Sequence, residues 1–250
     1  MELKYRRRRV VAGLIGVAAV LGLIFLNPAS YEIVNFNEIF GGESSASSSE
    51  NGSSGSDLDG PLASAVLEKL EVKGRAPKTG YSREEFYKTW PNENGCNLRQ
   101  RILKRDFKET AVLADDNCTV ISGSLYEPYT GVEMSFSEKS EISKGLQIDH
   151  IVALSDAWQK GAQYKTSEER FAMATDPLNL VAVDSSANQQ KSDGDAATWL
   201  PKNKSFRCQY VARQVSIKYK YGLWVTDAEK DAISNVLKNC PDERAVGVSI

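Results

Sequence analysis

A single histidine limits the chemistry that this chain can perform. His150 is the only imidazole among the 250 residues, and it directly follows Asp149 in the segment QIDHIV. With one imidazole per chain, H-E-x-x-H zinc proteases and three-histidine zinc sites are excluded. An imidazole with an ordinary pKa near ~6.5 is a workable general base at neutral pH. The carboxylate beside it offers oxygen ligands suited to a hard divalent cation.

Two asparagines follow His150 in segments of different character. Asn179 lies in the strand-like run LNLVAV at residues 178–183, and Asn188 follows in a helix-like run that also holds Lys191. The order is therefore Asp-His, then Asn-Leu on a strand, then Asn-x-x-Lys on a helix. Neighbouring side chains on a regular strand point to opposite faces. Asp149 and His150 can share a site only if their strand ends or bends there.

The elements that must position these residues predict an α+β domain, mostly helical, with a small antiparallel element near its middle. Helical spacing and capping-box pairs, such as Ser82 with Glu85, indicate the helices. Alternating apolar runs bounded by turn residues indicate the strands. We expect helices at residues 62–71, 83–90, 97–107, 167–174, 187–192, 195–200, 206–221 and 227–239, and strands at residues 118–122, 132–137, 146–154 and 178–183.

The first 60 residues divide into three segments. Residues 1–9 are basic, and residues 10–26 are an apolar run that would be roughly 26 Å long as a helix, close to the hydrocarbon thickness of a bilayer. This pattern predicts a retained membrane anchor or a cleaved signal peptide, with residues 1–9 cytoplasmic and the rest exported. Residues 27–60 form a juxtamembrane segment and a Gly/Ser-rich linker, and residues 61–250 form the folded domain.

Export suggests a role for the four cysteines. An even number of cysteines outside the cytoplasm indicates disulfide bonds, and no C-x-x-C pair points to zinc or thioredoxin-like chemistry. Of the three possible pairings, we expect the two that are local in sequence, Cys96–Cys118 and Cys208–Cys240. Four buried free thiols are the alternative.

The motif and its flanks resemble the HNH nucleases, the ββα-metal group, and in particular a family of exported bacterial HNH-endonuclease-like proteins. The matching stretches are GCNLRQRILKRDF, EPYTG, LQIDHIVALSDAWQKGA, FAMATDPLNLVAVDSSANQQKSDGDAATWLP and FRCQYVARQVSIKYKYGLWVT, which span about residues 95–226. The resemblance implies a small ββα-metal element inside the helical domain. In two respects the chain departs from many HNH proteins: Asn188 replaces a histidine, and no cysteine quartet braces the motif with zinc.

The resemblance also implies roles for individual residues. His150 would act as the general base that activates water, and Asn179 would fix the loop that carries it. Asp149 and Asn188 would hold one divalent cation, Mg²⁺ or Mn²⁺. Each residue also has a structural alternative, because lone histidines often pack in cores, asparagines cap helices, and aspartates cap turns.

Two basic residues are candidates for contact with substrate phosphate. Arg99 belongs to a basic cluster in the stretch NLRQRILKRDF, and Lys191 follows Asn188 by three residues. Lysine and arginine clusters attract phosphates. A solvated helix face would produce the same cluster.

Together these features predict a metal-dependent nuclease outside the cytoplasmic membrane, either anchored through residues 10–26 or secreted. The expected substrate is nucleic acid, DNA in preference to RNA, cleaved with little sequence specificity because no base-reading module is visible. No obligate protein partner is evident. The net charge of −2 excludes a highly basic nucleic-acid coat protein. A catalytically inactive cell-surface binding module on the same fold is the main alternative. A serine or cysteine hydrolase is disfavoured because no G-x-S-x-G elbow exists.

Overall fold

The computed structural model describes residues 60–250. The predicted segments 1–9 and 10–26 and nearly all of 27–60 lie outside the described residues, so the anchor or signal stays a prediction. Among the helices of residues 60–250, none has the length and apolar character needed to cross a membrane.

The first part of the domain contains short elements that lead into one amphipathic helix. These are α1 (Ala63–Leu67), β1 (Asn92–Glu93), β2 (Cys96–Asn97) and α2 (Leu98–Phe107). The helix expected at residues 83–90 is wrong, because only a 3₁₀ turn forms at Arg83–Glu85 and Ser82 makes no capping hydrogen bond. Phe86 and Tyr87 are instead buried in an aromatic cluster that includes Trp158. Tertiary packing of these rings outweighs the local capping signal.

A three-stranded antiparallel sheet follows α2. Its strands are β3 (Val112–Leu113), β4 (Val120–Tyr126) and β5 (Glu133–Phe136), in the order β3-β4-β5. The predicted hairpin is therefore confirmed, and its turn is held by the buried Glu127 carboxylate, which accepts hydrogen bonds from the backbone of Tyr129 and Thr130. The predicted disulfide Cys96–Cys118 is also confirmed and joins β2 to the start of β4.

The next part of the chain contains the expected ββα element. This part of the chain contains α3 (Lys139–Gly145), β6 (Leu146–His150), α4 (Leu154–Gln159), α5 (Ser167–Thr175), β7 (Leu180–Asp184) and α6 (Ser185–Lys191). The ββα element consists of β6, β7 and α6. Strands β6 and β7 pair antiparallel, with His150 opposite Leu180, and α6 follows β7 without a loop. Strand β6 ends at His150, as a shared site for Asp149 and His150 requires.

Two long helices complete the domain, α7 (Arg207–Lys220) and α8 (Asp227–Leu237). Both were expected, and the predicted disulfide Cys208–Cys240 links the first turn of α7 to the segment after α8. The helix expected at residues 195–200 is wrong, because these residues form only a turn. Asp195 accepts hydrogen bonds from the Ala197 backbone and the Thr198 hydroxyl, which favours a local turn over a helix.

The main hydrophobic core lies between α1, α7, α8 and β7. The first and last segments of the described domain lie next to each other. The Ala63 amide donates to the Glu243 carbonyl at 2.9 Å, and the Ala245 amide donates to the Pro61 carbonyl at 2.9 Å. The beginning and the end of the described domain are therefore paired to each other.

Candidate active groove

The ring of His150 is fixed at the end of β6. Its Nε2 lies 2.9 Å from the carbonyl oxygen of Ala174, at the end of α5. A carbonyl oxygen only accepts hydrogen bonds, so Nε2 carries the proton in the neutral ring. Nδ1 then holds the lone pair and is the nitrogen available as a base.

Aromatic side chains pack against the same ring. Trp90 lies parallel to it, with ring centroids 6.1 Å apart and planes 7° from parallel, and the Tyr87 centroid is 6.0 Å away. Burial, followed by the positive charge of Arg83, lowers the pKa of His150 to about 3. The imidazole is therefore neutral at physiological pH, as a proton acceptor must be.

The carboxylate of Asp149 is buried and held by two partners. The Lys191 ammonium lies 2.9 Å from Oδ2, and the Tyr129 hydroxyl donates to the same oxygen. Burial and the neighbouring Asp149 raise the pKa of Tyr129 well above its usual range. Lys191 also donates to the His150 carbonyl at 2.8 Å. One lysine thus braces both residues of the Asp-His pair.

Asn179 is completely buried and connects two segments around the histidine. Its Oδ1 accepts from the backbone amide of Val152 at 2.9 Å, and its Nδ2 donates to the Met173 carbonyl at 3.2 Å. The Asn179 carbonyl also accepts from the Ile151 amide at 2.8 Å. These bonds tie the loop directly after His150 to α5, the helix that supplies the Ala174 carbonyl.

Two arginines hold the segment that carries Asn179. Arg213 of α7 donates to the carbonyls of Leu178 and Leu180, and Arg105 of α2 donates to those of Pro177 and Leu180. Burial, together with the charge of Arg105, lowers the pKa of Arg213 to about 10. The Arg213 guanidinium therefore stays charged at neutral pH, and both arginines anchor the start of β7 to the surrounding helices.

Asn188 lies on α6, across from β6. Its Nδ2 donates to Gln147 Oε1 at 2.7 Å, which ties the helix to the strand. Asn188, Asp149 and His150 line one open groove of about 320 Å³. The structure therefore brings together the predicted base and both predicted cation ligands.

The chemistry of this donor set fits a hard divalent cation. Asp149 supplies carboxylate oxygens and Asn188 an amide oxygen, and Mg²⁺ is commonly held by one or two carboxylates together with substrate phosphates and water. The Lys191 ammonium neutralises part of the Asp149 charge. A cation at this position would therefore depend on a bound phosphate for much of its stabilisation.

The two residues expected to contact phosphate have other partners. Lys191 is fully buried, and Arg99 donates to the Leu146 carbonyl at 3.1 Å. Neither is among the residues that line the groove. Arg101 of the same basic cluster forms an ion pair with Glu93. These positions do not support the expected phosphate contacts, because the charged groups stabilise the domain itself.

The groove also contains residues that the sequence did not single out. Lys78, Tyr81 and Arg83 line it from the chain before β1, and Ser155 and Asp193 line it near α4 and α6. The Asp193 carboxylate accepts from both the Ser155 hydroxyl and the Lys78 ammonium, each at 3.0 Å. No motif marks these positions. The only signal was the aromatic and basic composition of residues 78–90.

A buried ion network adjoins the groove, since Asp156 follows Ser155 on α4. The two lysines at its centre have no exposed surface, and each lies between two or three carboxylates. Arg75 adds a third positive charge at its edge. The members of the network are Arg75, Asp156, Lys160, Asp195, Lys218 and Glu229.

With the groove defined, comparison with known proteins assigns the chain to a family. It matches the family described as GmrSD restriction endonucleases, C-terminal domain, over residues 98–236, more than half of its length, and it belongs to that family. The matched residues include the whole ββα element. No solved structure matches the chain significantly.

A relative in Arthroderma benhamiae, named an uncharacterized secreted protein, is 37% identical over 181 residues. The similarity covers 71% of this chain and 84% of that relative. Because this relative comes from a fungus, the expectation of a bacterial family is not confirmed.

Proposed function

We propose that this protein is a metal-dependent phosphodiester hydrolase, an HNH-type endonuclease. The observation that carries the proposal is the convergence of His150, Asp149 and Asn188 on one open groove. Membership of a family described by its restriction endonucleases supports the same reaction class.

In this mechanism His150 accepts the proton of the attacking water. Its Nε2–H is held by the Ala174 carbonyl, so Nδ1 receives the proton and the ring does not rotate. A bound phosphodiester brings a negative charge near the ring and raises the pKa of His150 from its low value in the free protein. Asn179 is a positioning residue, because it ties the backbone directly after the base to α5 without contacting substrate.

Asp149 and Asn188 would hold one divalent cation, Mg²⁺ or Mn²⁺. Bound there, the cation would supply positive charge to the scissile phosphate and to the departing oxygen. Tyr129 and Lys191 orient the Asp149 carboxylate, and Gln147 orients the Asn188 amide. These contacts keep the two oxygen donors in place before substrate arrives.

The proposed substrate is nucleic acid, DNA in preference to RNA, cleaved outside the cytoplasm with little sequence specificity. Two disulfide bonds fit an oxidising compartment, and the Arthroderma benhamiae relative is named a secreted protein. The proposed export signal or anchor at residues 10–26 would deliver the domain there.

The direct test is cleavage of plasmid DNA and of a labelled RNA by the full-length protein with Mg²⁺ or Mn²⁺. We expect His150→Ala to lower the rate by at least 100-fold, because general-base catalysis contributes roughly 10²–10⁴-fold. We expect Asn188→Ala to raise the metal concentration needed for half-maximal activity. Gln190→Ala is the matched control, because Gln190 lies on the same helix and does not line the groove.

Three results would contradict the proposal. These are the absence of cleavage with every metal tested while both disulfides are intact, equal activity of His150→Ala and the wild type, and cleavage that persists in excess chelator. Binding of nucleic acid without cleavage would identify the inactive binding module instead.

A further inference from the structure

The groove has one wall that the family similarity does not include. Residues 98–236 match the family, whereas Lys78, Tyr81 and Arg83 come from the chain before that region. They line the same groove as His150, Asp149 and Asn188. This wall is therefore contributed by a separate part of the sequence.

The charges that line the groove are paired, with one exception. Asp149 is paired with Lys191, and Asp193 is paired with Lys78. Within residues 60–250, Arg83 forms no ion pair with a carboxylate. Because the buried Lys191 behind the groove neutralises Asp149, Arg83 is the one charged lining residue without a partner of opposite charge among residues 60–250.

Arg83 is an exposed residue, and its guanidinium is held in place. It lies over the Tyr87 ring, 5.2 Å from the ring centroid, and it also donates to the Tyr87 hydroxyl. Tyr87 is itself buried beside His150. A planar guanidinium that is fixed but still exposed suits phosphate binding, because its remaining N–H groups stay available.

We propose that Arg83 forms a phosphodiester-binding subsite of the groove and positions a nucleic-acid phosphate beside His150. The subsite rests on the proposed function, since it places the substrate of that reaction. Tyr87 holds the guanidinium of Arg83 in place. Lys78 is paired with Asp193 and lies at the edge of the subsite. The chain before residue 98 thereby supplies an essential part of substrate binding.

The test measures binding apart from cleavage. Full-length protein with His150→Ala is titrated with a fluorescent 20-base-pair DNA duplex at several KCl concentrations. We expect Arg83→Ala in this background to weaken binding roughly 10-fold, the effect of losing one charged hydrogen-bonded contact. The slope of log affinity against log salt should fall by about 0.9, as for one lost phosphate contact. Arg83→Lys should recover part of the affinity.

Two controls separate phosphate binding from a structural role. Lys88→Ala removes an exposed positive charge from the same segment without touching the groove, and should change the affinity less than twofold. Tyr87→Phe removes the hydroxyl that receives the Arg83 hydrogen bond but keeps the charge. The proposal is overturned if Arg83→Ala leaves the salt slope unchanged, matches Lys88→Ala, or is reproduced in full by Tyr87→Phe.

Cleavage kinetics of the protein that retains His150 test the Arg83 subsite separately from the proposed function. Arg83→Ala should raise KM for plasmid DNA roughly 10-fold. If the wild type cleaves DNA and Arg83→Ala cleaves equally well at every substrate concentration, the subsite is wrong and the hydrolase stands. If no variant cleaves but binding depends on Arg83, the subsite stands and the hydrolase is wrong.

Discussion

Lys191 supports the site from inside the protein. Its ammonium is fully buried and contacts both the Asp149 carboxylate and the His150 carbonyl. Removing one partner of a buried ion pair leaves an uncompensated charge, which is more costly than losing the pair itself. The spacing Asn-x-x-Lys therefore marks a residue that positions the catalytic strand.

Substituting this lysine tests the role. We expect Lys191→Met to lower the free energy of unfolding by about 3–5 kcal/mol, because Asp149 is left buried and charged. Urea unfolding followed by circular dichroism measures it, with chelator present so that cation binding makes no contribution. Asp149→Asn in the same protein should restore part of the loss. Equal stability of Lys191→Met and the wild type, or strict additivity of the two substitutions, would rule out the pairing as a stabilising contact.

At the scale of elements, the ββα unit combines local and distant constraints. Strand β6 ends at His150, and the 3₁₀ turn Pro177–Asn179 precedes β7. The carbonyls of this turn are held by arginines from α2 and α7, helices far away in sequence. The position of Asn179, and through it His150, depends on how these helices pack.

The disulfide Cys208–Cys240 fixes one end of α7. It joins α7 to the segment after α8 across 32 residues. On the loop-entropy model, we expect Cys208→Ser with Cys240→Ser to lower the free energy of unfolding by about 3–4 kcal/mol. Urea unfolding measures the change. If the free energy of unfolding depends on urea with the same slope in both proteins, the two transitions expose similar surface and can be compared. An unchanged midpoint would mean that the bond contributes no net stability.

The elements that carry the motif could be predicted because their local signals agree with the fold. Thr166 and Glu169 form the capping box that starts α5, and β6, β7 and α6 follow the order expected from the motif. The structure of residues 83–90 could not be predicted, because Phe86 packs against Trp158 and Tyr87 lies beside His150, both far away in sequence. The burial of Lys191 and the contact of Arg99 with the Leu146 carbonyl could not be predicted either, since the sequence shows a charge but not its partner.

At the scale of the whole molecule, the buried ion network links elements that are far apart in the sequence. Lys160 directly after α4, Lys218 on α7 and Glu229 on α8 meet with no exposed surface. Burial would raise the pKa of Asp195, but Lys160 and Arg75 lower it to about 2. Burial likewise opposes ionisation of Asp156, yet Lys218 and Lys160 lower the pKa of that carboxyl.

These shifts predict loss of stability in acid. A carboxylate whose pKa is lower in the folded state stabilises the fold above its unfolded pKa, near ~3.9, and loses this contribution as the pH falls through the folded value. We expect the free energy of unfolding to fall between about pH 4 and pH 2, measured by urea unfolding at each pH. Asp195→Asn should reduce this dependence, whereas Asp231→Asn, an exposed carboxylate outside the network, should not. If the free energy of unfolding of the wild type does not change between about pH 4 and pH 2, the buried ion network does not contribute this acid sensitivity.

The pairing of residues 61–63 with residues 243–245 places the beginning and the end of the domain next to each other. A short flexible peptide could join its two ends without moving either, since adjacent surface ends are the usual condition for circular permutation. New ends could then be opened at the exposed residues 137–138, between β5 and α3. Such a rearranged chain would keep β6, β7 and α6, and with them the groove, uninterrupted.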